Sequence, residues 1–327
     1  MIRRIGRRAL ALGLLACSGA LTSSSPLSAQ APKWPEKPVR IIVVAAPGGS
    51  LDNATRPLVE HLTKAFNQQF VVENRGGASG AIGAELAVKA APDGYTFVVM
   101  SSSTAAILPN LRKLPFDIFT DLAPVSYFID GTQLLTMHPS VPVNSLAELV
   151  AYAKKNPGKL NFGAPGQGTA GHLFAELFAR TAGIEVTTIN YRGAGEALPD
   201  FLAGVTQLYL DPNALPHVKS GKIKLLAVFD SARSSDFPDI PTLREAYPAL
   251  DDVWWFGMFA PKGTPDEIVR RFSQELNTIA KSDAYKAQLA RVSLRPKAGT
   301  PEDLTAILRK DYERFGKLAR DLKLKMD

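Results

Sequence analysis

Cysteine is almost absent. The 327-residue chain has one, Cys17, and it lies in a leader-like segment. A chain cut after Ala29 would have no thiol, and so neither disulfides nor thiol chemistry. Metal-site spacing is missing as well: His61, His138, His172 and His217 are scattered along the sequence. There is no Gly-x-Ser-x-Gly nucleophile elbow. Beyond the leader, no apolar run is long enough to span a bilayer. Basic stripes with interleaved aromatics are lacking, which removes the case for nucleic acid. The formal net charge of +7 overstates the basic excess, because Arg3, Arg4, Arg7 and Arg8 belong to the leader. Without them the excess is three.

What is present begins with that leader. Residues 1–29 carry a basic start, an apolar core from Ala9 to Ala16, and a small polar stretch ending Leu27-Ser28-Ala29. This is the pattern of a signal peptide, so the chain is expected to be exported, to the periplasm. Arg7-Arg8 also fits a twin-arginine signal, and Leu14-Leu15-Ala16-Cys17 a lipoprotein box that would leave Cys17 lipidated. The remainder is of ordinary globular composition and long enough for two sizeable cores.

Apolar strands alternate with amphipathic helices. Ile41–Ala45, Gln69–Glu73, Tyr95–Met100, Leu134–Met137, Leu160–Gly163, Val186–Asn190, Gln207–Leu210 and Leu225–Phe229 read as strands. One helix carries Leu58, Leu62 and Phe66 on one face, and Ser145-Leu146-Ala147-Glu148 is a capping box that opens another. Two similar starts, Thr264-Pro265-Asp266-Glu267 and Thr300-Pro301-Glu302-Asp303, open C-terminal helices. This alternation predicts an α/β, doubly wound sheet with its ligand site at the strand C-termini.

Four loops at such positions share one character. They are Pro47-Gly48-Gly49-Ser50-Leu51-Asp52, Ser101–Thr104, Gly166-Gln167-Gly168-Thr169 and Tyr191-Arg192-Gly193-Ala194-Gly195. Each supplies glycines, hydroxyls or free amides at a strand end or helix start. Helix starts leave N–H groups without internal partners, and the helix dipole favours an anion there. Ser50 or Asp52 is the expected cap of the first helix. Facing one another across a cleft, these loops would hold a small polar, anionic molecule. Any one of them alone also fits a plain turn between strand and helix. Gly166, Gly168 and Gly171 satisfy the dinucleotide pattern Gly-x-Gly-x-x-Gly as well, and Arg192 at the next strand end would suit a 2′-phosphate. An NADP-dependent dehydrogenase is therefore the enzymatic alternative, disfavoured by export.

Many short motifs, in order, resemble the Bug-type periplasmic receptors of tripartite tricarboxylate transporters. They include Ala46-Pro47-Gly48-Gly49, Val71-Val72-Glu73-Asn74-Arg75, Gly80-Ala81-Ile82-Gly83-Ala84 and Ala91-Pro92-Asp93-Gly94-Tyr95-Thr96. Leu114-Pro115-Phe116-Asp117, Pro157–Phe162, Ala214–Val218, Trp255-Phe256-Gly257 and Ala260–Pro265 continue the likeness, from about Trp34 to the last helix. The resemblance implies a type II periplasmic-binding-protein fold, two Rossmann-like lobes joined by two crossover segments around a cleft. The crossovers are expected near Phe128–Thr132 and Val253–Gly257. Lobe 1 is then residues 30–130 and 254–327, and lobe 2 residues 131–253. It further implies a non-enzymatic, cofactor-free monomer that binds a small carboxylate and passes it to membrane transporter subunits. A di- or tricarboxylate, an amino acid or an aromatic acid would each suit. A sensory co-receptor that presents its loaded form to a signalling protein is the rival role.

By the same resemblance, the Pro47–Asp52 and Gly166–Thr169 loops hold one carboxylate between the lobes. Ser101 and Thr104 line one side, Tyr191 and Gly193–Gly195 the other, and Asp211 the floor. The sequence departs from the family pattern at Leu51 (often a hydroxyl residue), Ala105 (often histidine), Pro212 and Trp254. The loop from Pro212 to Ala214 is also two residues short. Leu51 with Trp254 would suit a less polar ligand, such as one with a ring; Trp254 would equally serve as hinge packing.

Overall fold

The computed structural model describes residues 34–167, 169–230, 232–234, 236–250, 254–291 and 294–321. The expected signal peptide and Cys17 therefore lie outside the described residues, as do Gly168 and Val253. Among these described residues, eleven strands run in chain order. They are β1 (Val39–Val43), β2 (Phe70–Asn74), β3 (Thr96–Ser101), β4 (Leu122–Gly131), β5 (Gln133–Met137) and β6 (Asn161–Ala164). Then come β7 (Thr187–Asn190), β8 (Leu208–Leu210), β9 (Lys224–Phe229), β10 (Trp254–Pro261) and β11 (Arg295–Pro296). The helices are α1 (Ser50–Phe66), α2 (Ala81–Val88), α3 (Leu108–Leu111), α4 (Leu146–Lys155), α5 (Ala170–Ala182) and α6 (Ala194–Leu202). The last five are α7 (Leu215–Lys219), α8 (Leu243–Ala246), α9 (Asp266–Lys281), α10 (Asp283–Ala290) and α11 (Pro301–Asp321).

These strands form two sheets, and each sheet with its helices makes one lobe of an α/β fold. The first has the order β11-β4-β10-β3-β1-β2 and the second β7-β6-β8-β5-β9. In the first, β1 pairs in parallel with β2 and β3, and β10 runs antiparallel to β3 and β4. In the second, β6 pairs in parallel with β7 and β8, while β5 is antiparallel to β8 and β9. Parallel strands stacked this way bring the C-terminal ends of β1, β2 and β3 to one rim, and those of β6, β7 and β8 to another. Both rims meet the antiparallel strands at their N-terminal starts, β10 at Trp254 and β5 at Gln133.

Burial follows the apolar pattern. Ile41, Ile42 and Val43 in β1 are fully buried, as are Phe97, Val98, Val99 and Met100 in β3. Helix α1 turns Leu51, Leu58 and Leu62 into the core, and Asn67 ends it in the left-handed conformation. Every residue of β10 is buried. Trp255 of β10 donates its indole N–H to Asp311 of α11 at 2.7 Å, which fixes that helix across the sheet. Burial of each such large side chain stabilises by about 2 kcal/mol.

The two sheets are joined by chain that leaves adjacent strands. β4 and β10 are hydrogen-bonded neighbours, with Trp254 opposite Gly131. Gly131 still pairs in the first sheet and Gln133 already pairs in the second, so the crossing falls at Thr132. The Thr132 hydroxyl donates to Asp230, at the end of β9, and Arg295 of β11 bonds both, at 3.0 Å and 2.8 Å. This triad ties the second sheet to the first beside the crossing. The Trp254 ring lies on Gly131 so closely that a Cβ there would sit 1.5 Å from ring carbon Cε3.

No side chain larger than hydrogen fits at 131 while Trp254 keeps its place. Gly131→Ala is expected to destabilise the protein by about 2 kcal/mol. In urea unfolding followed by circular dichroism, the double variant with Trp254→Ala should be no less stable than Trp254→Ala alone. Additive losses would contradict the packing.

Candidate functional site

The loop after β1 is built around a buried carboxylate. Gly48 is in the left-handed region, with φ +79°, a conformation that glycine adopts without steric cost. Its N–H donates to Oδ2 of Asp52 at 2.8 Å, one turn into α1. Arg56 Nε donates to the same oxygen at 2.8 Å, and Asn74 Nδ2 to Oδ1 at 2.9 Å. Asn74 also donates to the Ala45 carbonyl and accepts from Arg56 Nη2. Asp52 thus knits the β1 loop, helix α1 and the end of β2 together. Burial by itself would raise its pKa; the hydrogen bonds from Arg56, Gly48 and Asn74 outweigh it and hold the carboxyl below its ordinary value.

A second loop of similar make follows β6. Thr169 is the N-cap of α5: its Oγ1 accepts from the His172 N–H at 3.4 Å and donates to the Gly166 carbonyl at 2.8 Å. Gly171 packs on the Leu210 carbonyl, 2.5 Å from where a Cβ would be. Close packing of helix on strand therefore accounts for the last glycine of Gly-x-Gly-x-x-Gly. A third loop follows β7 and opens α6 with Gly193 as N-cap. There the Tyr191 hydroxyl donates to Asp200 at 2.8 Å. Burial and the Asp200 carboxylate push that phenol up to about 12.

These loops surround one cavity of about 670 Å³, within the range of small-molecule sites. Pro47, Gly48, Gly49, Ser50 and Leu51 line it from the first sheet, with Ser101 and Thr104 at the end of β3. Gly166, Gln167 and Thr169 line it from the second, with Tyr191, Gly193, Ala194, Gly195 and Asp211. Three helices, α1, α5 and α6, bring first-turn residues to it, and α2 brings its N-cap residue Gly80. Each terminus carries about half a positive charge.

Asp52 is the correction. It was expected at the ligand, but it is not in the cavity wall; its carboxylate is spent on Gly48, Arg56 and Asn74, and only 1% of the residue is exposed. The first helix is capped from inside its first turn, by Asp52 reaching back, and its N-cap residue is Gly49 rather than Ser50. Tyr191 lines the wall with its hydroxyl already engaged. Asp211 lines the floor and accepts from the Asn213 N–H at 2.9 Å. Crowding by protein atoms pushes its carboxyl up to about 6.

Sequence reasoning missed several wall residues. The Asn74–Gly80 loop after β2 belongs to the same wall, and its glycines at a strand end were the available signal. Within it, Ala78 and Ser79 have positive φ, +46° and +60°. The Ser79 hydroxyl donates to the Gln167 carbonyl at 3.0 Å, and Thr104 Oγ1 donates to the Ser79 carbonyl at 3.0 Å. The first of these bonds links a loop of one lobe to a loop of the other. Gln133, Phe256 and Arg112 also line the cavity. Gln133 is 1% exposed, and its Oε1 has no hydrogen-bond partner among the described residues. Trp254 stacks edge-on against Phe256, with centroids 4.2 Å apart, and borders the cavity while packing on Gly131. Among the described residues, no group of three or more His, Cys, Asp or Glu could hold a metal ion. No helix among them is long and apolar enough to cross a membrane.

Two mixed sheets whose strand ends and helix N-termini converge on one cavity define a solute-binding protein. The description "Tripartite tricarboxylate transporter family receptor" (TctC) matches residues 54–324. The chain belongs to this family, of the Bug type. It is 33% identical to Protein BugT of Bordetella pertussis over 320 residues, 96% of this chain and 98% of that protein. Rpa4515 of R. palustris, solved with adipate, is 32% identical with a TM-score of 0.83, covering 89% of this chain and 99% of that one. MatC of Rhodopseudomonas palustris, solved with bound malate, is 27% identical with a TM-score of 0.80, covering 87% and 99%.

Asp52→Asn should lower stability by about 2 kcal/mol, because hydrogen bonds to a charged group are lost. The depressed carboxyl contributes fully above the unfolded value, about pH 4. That contribution is lost as pH falls through the lower folded value. Urea midpoints between pH 2 and 7 should therefore show a shallower acid limb in Asp52→Asn than in the wild type.

Proposed function

We propose that this protein is a non-enzymatic, extracytoplasmic receptor that binds a small carboxylate in its cavity and delivers it to the membrane subunits of a tripartite transporter. The observation that carries the reading is the convergence of three helix N-termini, from both lobes, on one cavity. A carboxylate there would accept from first-turn N–H groups that have no carbonyl of their own helix to bond. The adipate and malate bound to two relatives support this ligand class. Residues 1–29 would direct the chain to the periplasm as a signal peptide. We place lobe 1 at residues 30–130 and 254–327 and lobe 2 at 131–253; Gly131 still pairs in the first sheet, so the crossing itself falls one residue after that boundary, at Thr132. Ligand touching both lobes stabilises the closed form in proportion to its preference for that form.

Within the wall, Pro47–Leu51, Gly166, Gln167 and Thr169 take the carboxylate, and the sequence assigns Gly168 the same part. Ser101, Thr104 and Gly193–Gly195 flank it. Asp52 acts through the loop it holds. Calorimetry with di- and tricarboxylates, amino acids and aromatic acids tests the reading, with NADP as the control. Binding of NADP and of no carboxylate would replace it with the dehydrogenase alternative.

Gly49→Val provides a sharper test. A Cβ at 49 meets only the Ala46 carbonyl, at 3.5 Å, so the fold accommodates it while the added methyls cover the amides. Carboxylate affinity should fall more than about tenfold, or 1.4 kcal/mol, with the melting temperature nearly unchanged. Wild-type affinity in this variant would refute the cradle.

Asp211 adds a pH dependence. Its carboxyl is neutral below about 6 and charged above. A charged floor repels an anion, so carboxylate affinity should fall as pH rises from 5 to 7.5. In Asp211→Asn that fall should disappear.

A further inference from the structure

The cavity is larger and more positive than one carboxylate requires. A carboxylate takes up about the space of two waters, ~60 Å³, in a cavity of about 670 Å³. Among the described residues, the charged side chains in its wall are Arg112, Arg192 and Asp211. Their sum is +1 when Asp211 is ionised, and three helix N-termini add roughly +1.5. One carboxylate leaves most of that field unbalanced.

Arg112 is the notable cation. It follows α3, where its backbone N–H bonds the Leu108 carbonyl at 3.1 Å. Its guanidinium, in contrast, has no hydrogen bond and no ion pair among the described residues. Other arginines of the chain are spent: Arg40 on Glu73, Arg56 on Asp52, Arg233 on Glu245 and Arg295 on Asp230. Arg112 is also half-buried, unlike Arg192, which is exposed. A partly desolvated guanidinium without a counter-charge is unfavourable, and its planar fork matches a carboxylate in two-point contact. Among the described residues, no acid in the wall other than Asp211 competes for it.

We propose that Arg112 is a specificity-determining residue that pairs with a second anionic group of the ligand, so that the receptor selects dianionic organic acids over monoanions of the same skeleton. This rests on the carboxylate-receptor reading. The cradle fixes one end, common to all ligands. Arg112 reads the charge of the other. Leu51, Trp254 and Phe256 in the same wall face the uncharged body of the ligand, which leaves charge discrimination to the arginine.

The test is calorimetry on the full mature chain with matched pairs: straight-chain mono- and dicarboxylates of four to eight carbons, and benzoate with phthalate. Wild type should bind at least one diacid about 30-fold or more tighter than its monoacid. Arg112→Gln should reduce that ratio at least tenfold by weakening the diacid alone. Arg112→Lys should keep part of the preference, since it retains the charge but not the fork. Circular dichroism melts of both variants verify folding, and Arg112→Lys carries the test if Arg112→Gln does not fold. Equal affinity for mono- and diacids in the wild type, or an unchanged ratio in both variants, overturns the proposal and leaves the carboxylate reading standing. Binding of neither class by the wild type overturns both.

Discussion

The buried carboxylate of Asp52 is the constraint on which the cavity's first wall depends. A turn with glycine in the left-handed region does not by itself hold one shape. Here it is pinned from below by an acid that accepts from the turn, from its own helix and from the neighbouring strand. The residue closest in sequence to the wall is thus the one that does not face it. Its charge is balanced internally by Arg56, and the amides above it remain available for a ligand's charge. Had Asp52 pointed into the cavity, it would have opposed the anion that the helix dipole favours.

The second lobe reaches the same end by a different route. Thr169 closes its loop with a hydroxyl rather than a carboxylate, donating to Gly166 and accepting from His172. Asp211, the one acid among the described residues of the wall, is crowded enough to be uncharged in mild acid. Both lobes present backbone amides and keep fixed negative charge away from them or neutral. The symmetry is one of strand ends: parallel strands deliver their C-termini to the cavity, and antiparallel β10 and β5 deliver their N-terminal starts. Substitutions at Leu51, Arg112, Gln133 or Trp254, which line the same wall, would leave those amides in place.

Much of this was legible in the sequence, and the reason is local. Apolar runs ending in glycine, proline and hydroxyl clusters mark β1, β3, β6 and β7 and the loops after them, because strand burial and turn chemistry both act over a few residues. Strands β4 and β10 were not read as strands. Leu122–Gly131 and Trp254–Pro261 pair across more than a hundred residues; the first mixes polar and apolar residues without a clear period, and the second is apolar throughout, so no period separates strand from helix until the partner is present. The role of Asp52 was misread because a helix-start acid can face either the ligand or its own loop, and only Arg56 and Asn74 decide between them. Arg112 and Gln133 carried no signal at all. Their place in the wall is set by packing of segments far apart in sequence, and neither sits in a glycine or hydroxyl cluster. The glycine pattern at 166, 168 and 171 was visible but ambiguous, and the packing of Gly171 on Leu210 accounts for part of it without any nucleotide.

The hydrogen bond from Ser79 to Gln167 has a consequence for how the lobes part. One such bond is worth about 1 kcal/mol, a bias of roughly fivefold between bonded and parted lips. The left-handed backbone at Ala78 and Ser79 is strained by about 1–3 kcal/mol at each residue. That strain belongs to the loop that makes the bond, and the single bond across the lip is a weak latch. Under the proposed function, such a lip parts at small cost. A modest difference in ligand contacts is then enough to decide whether it stays shut, and the same weak latch lets the ligand go once those contacts are disturbed.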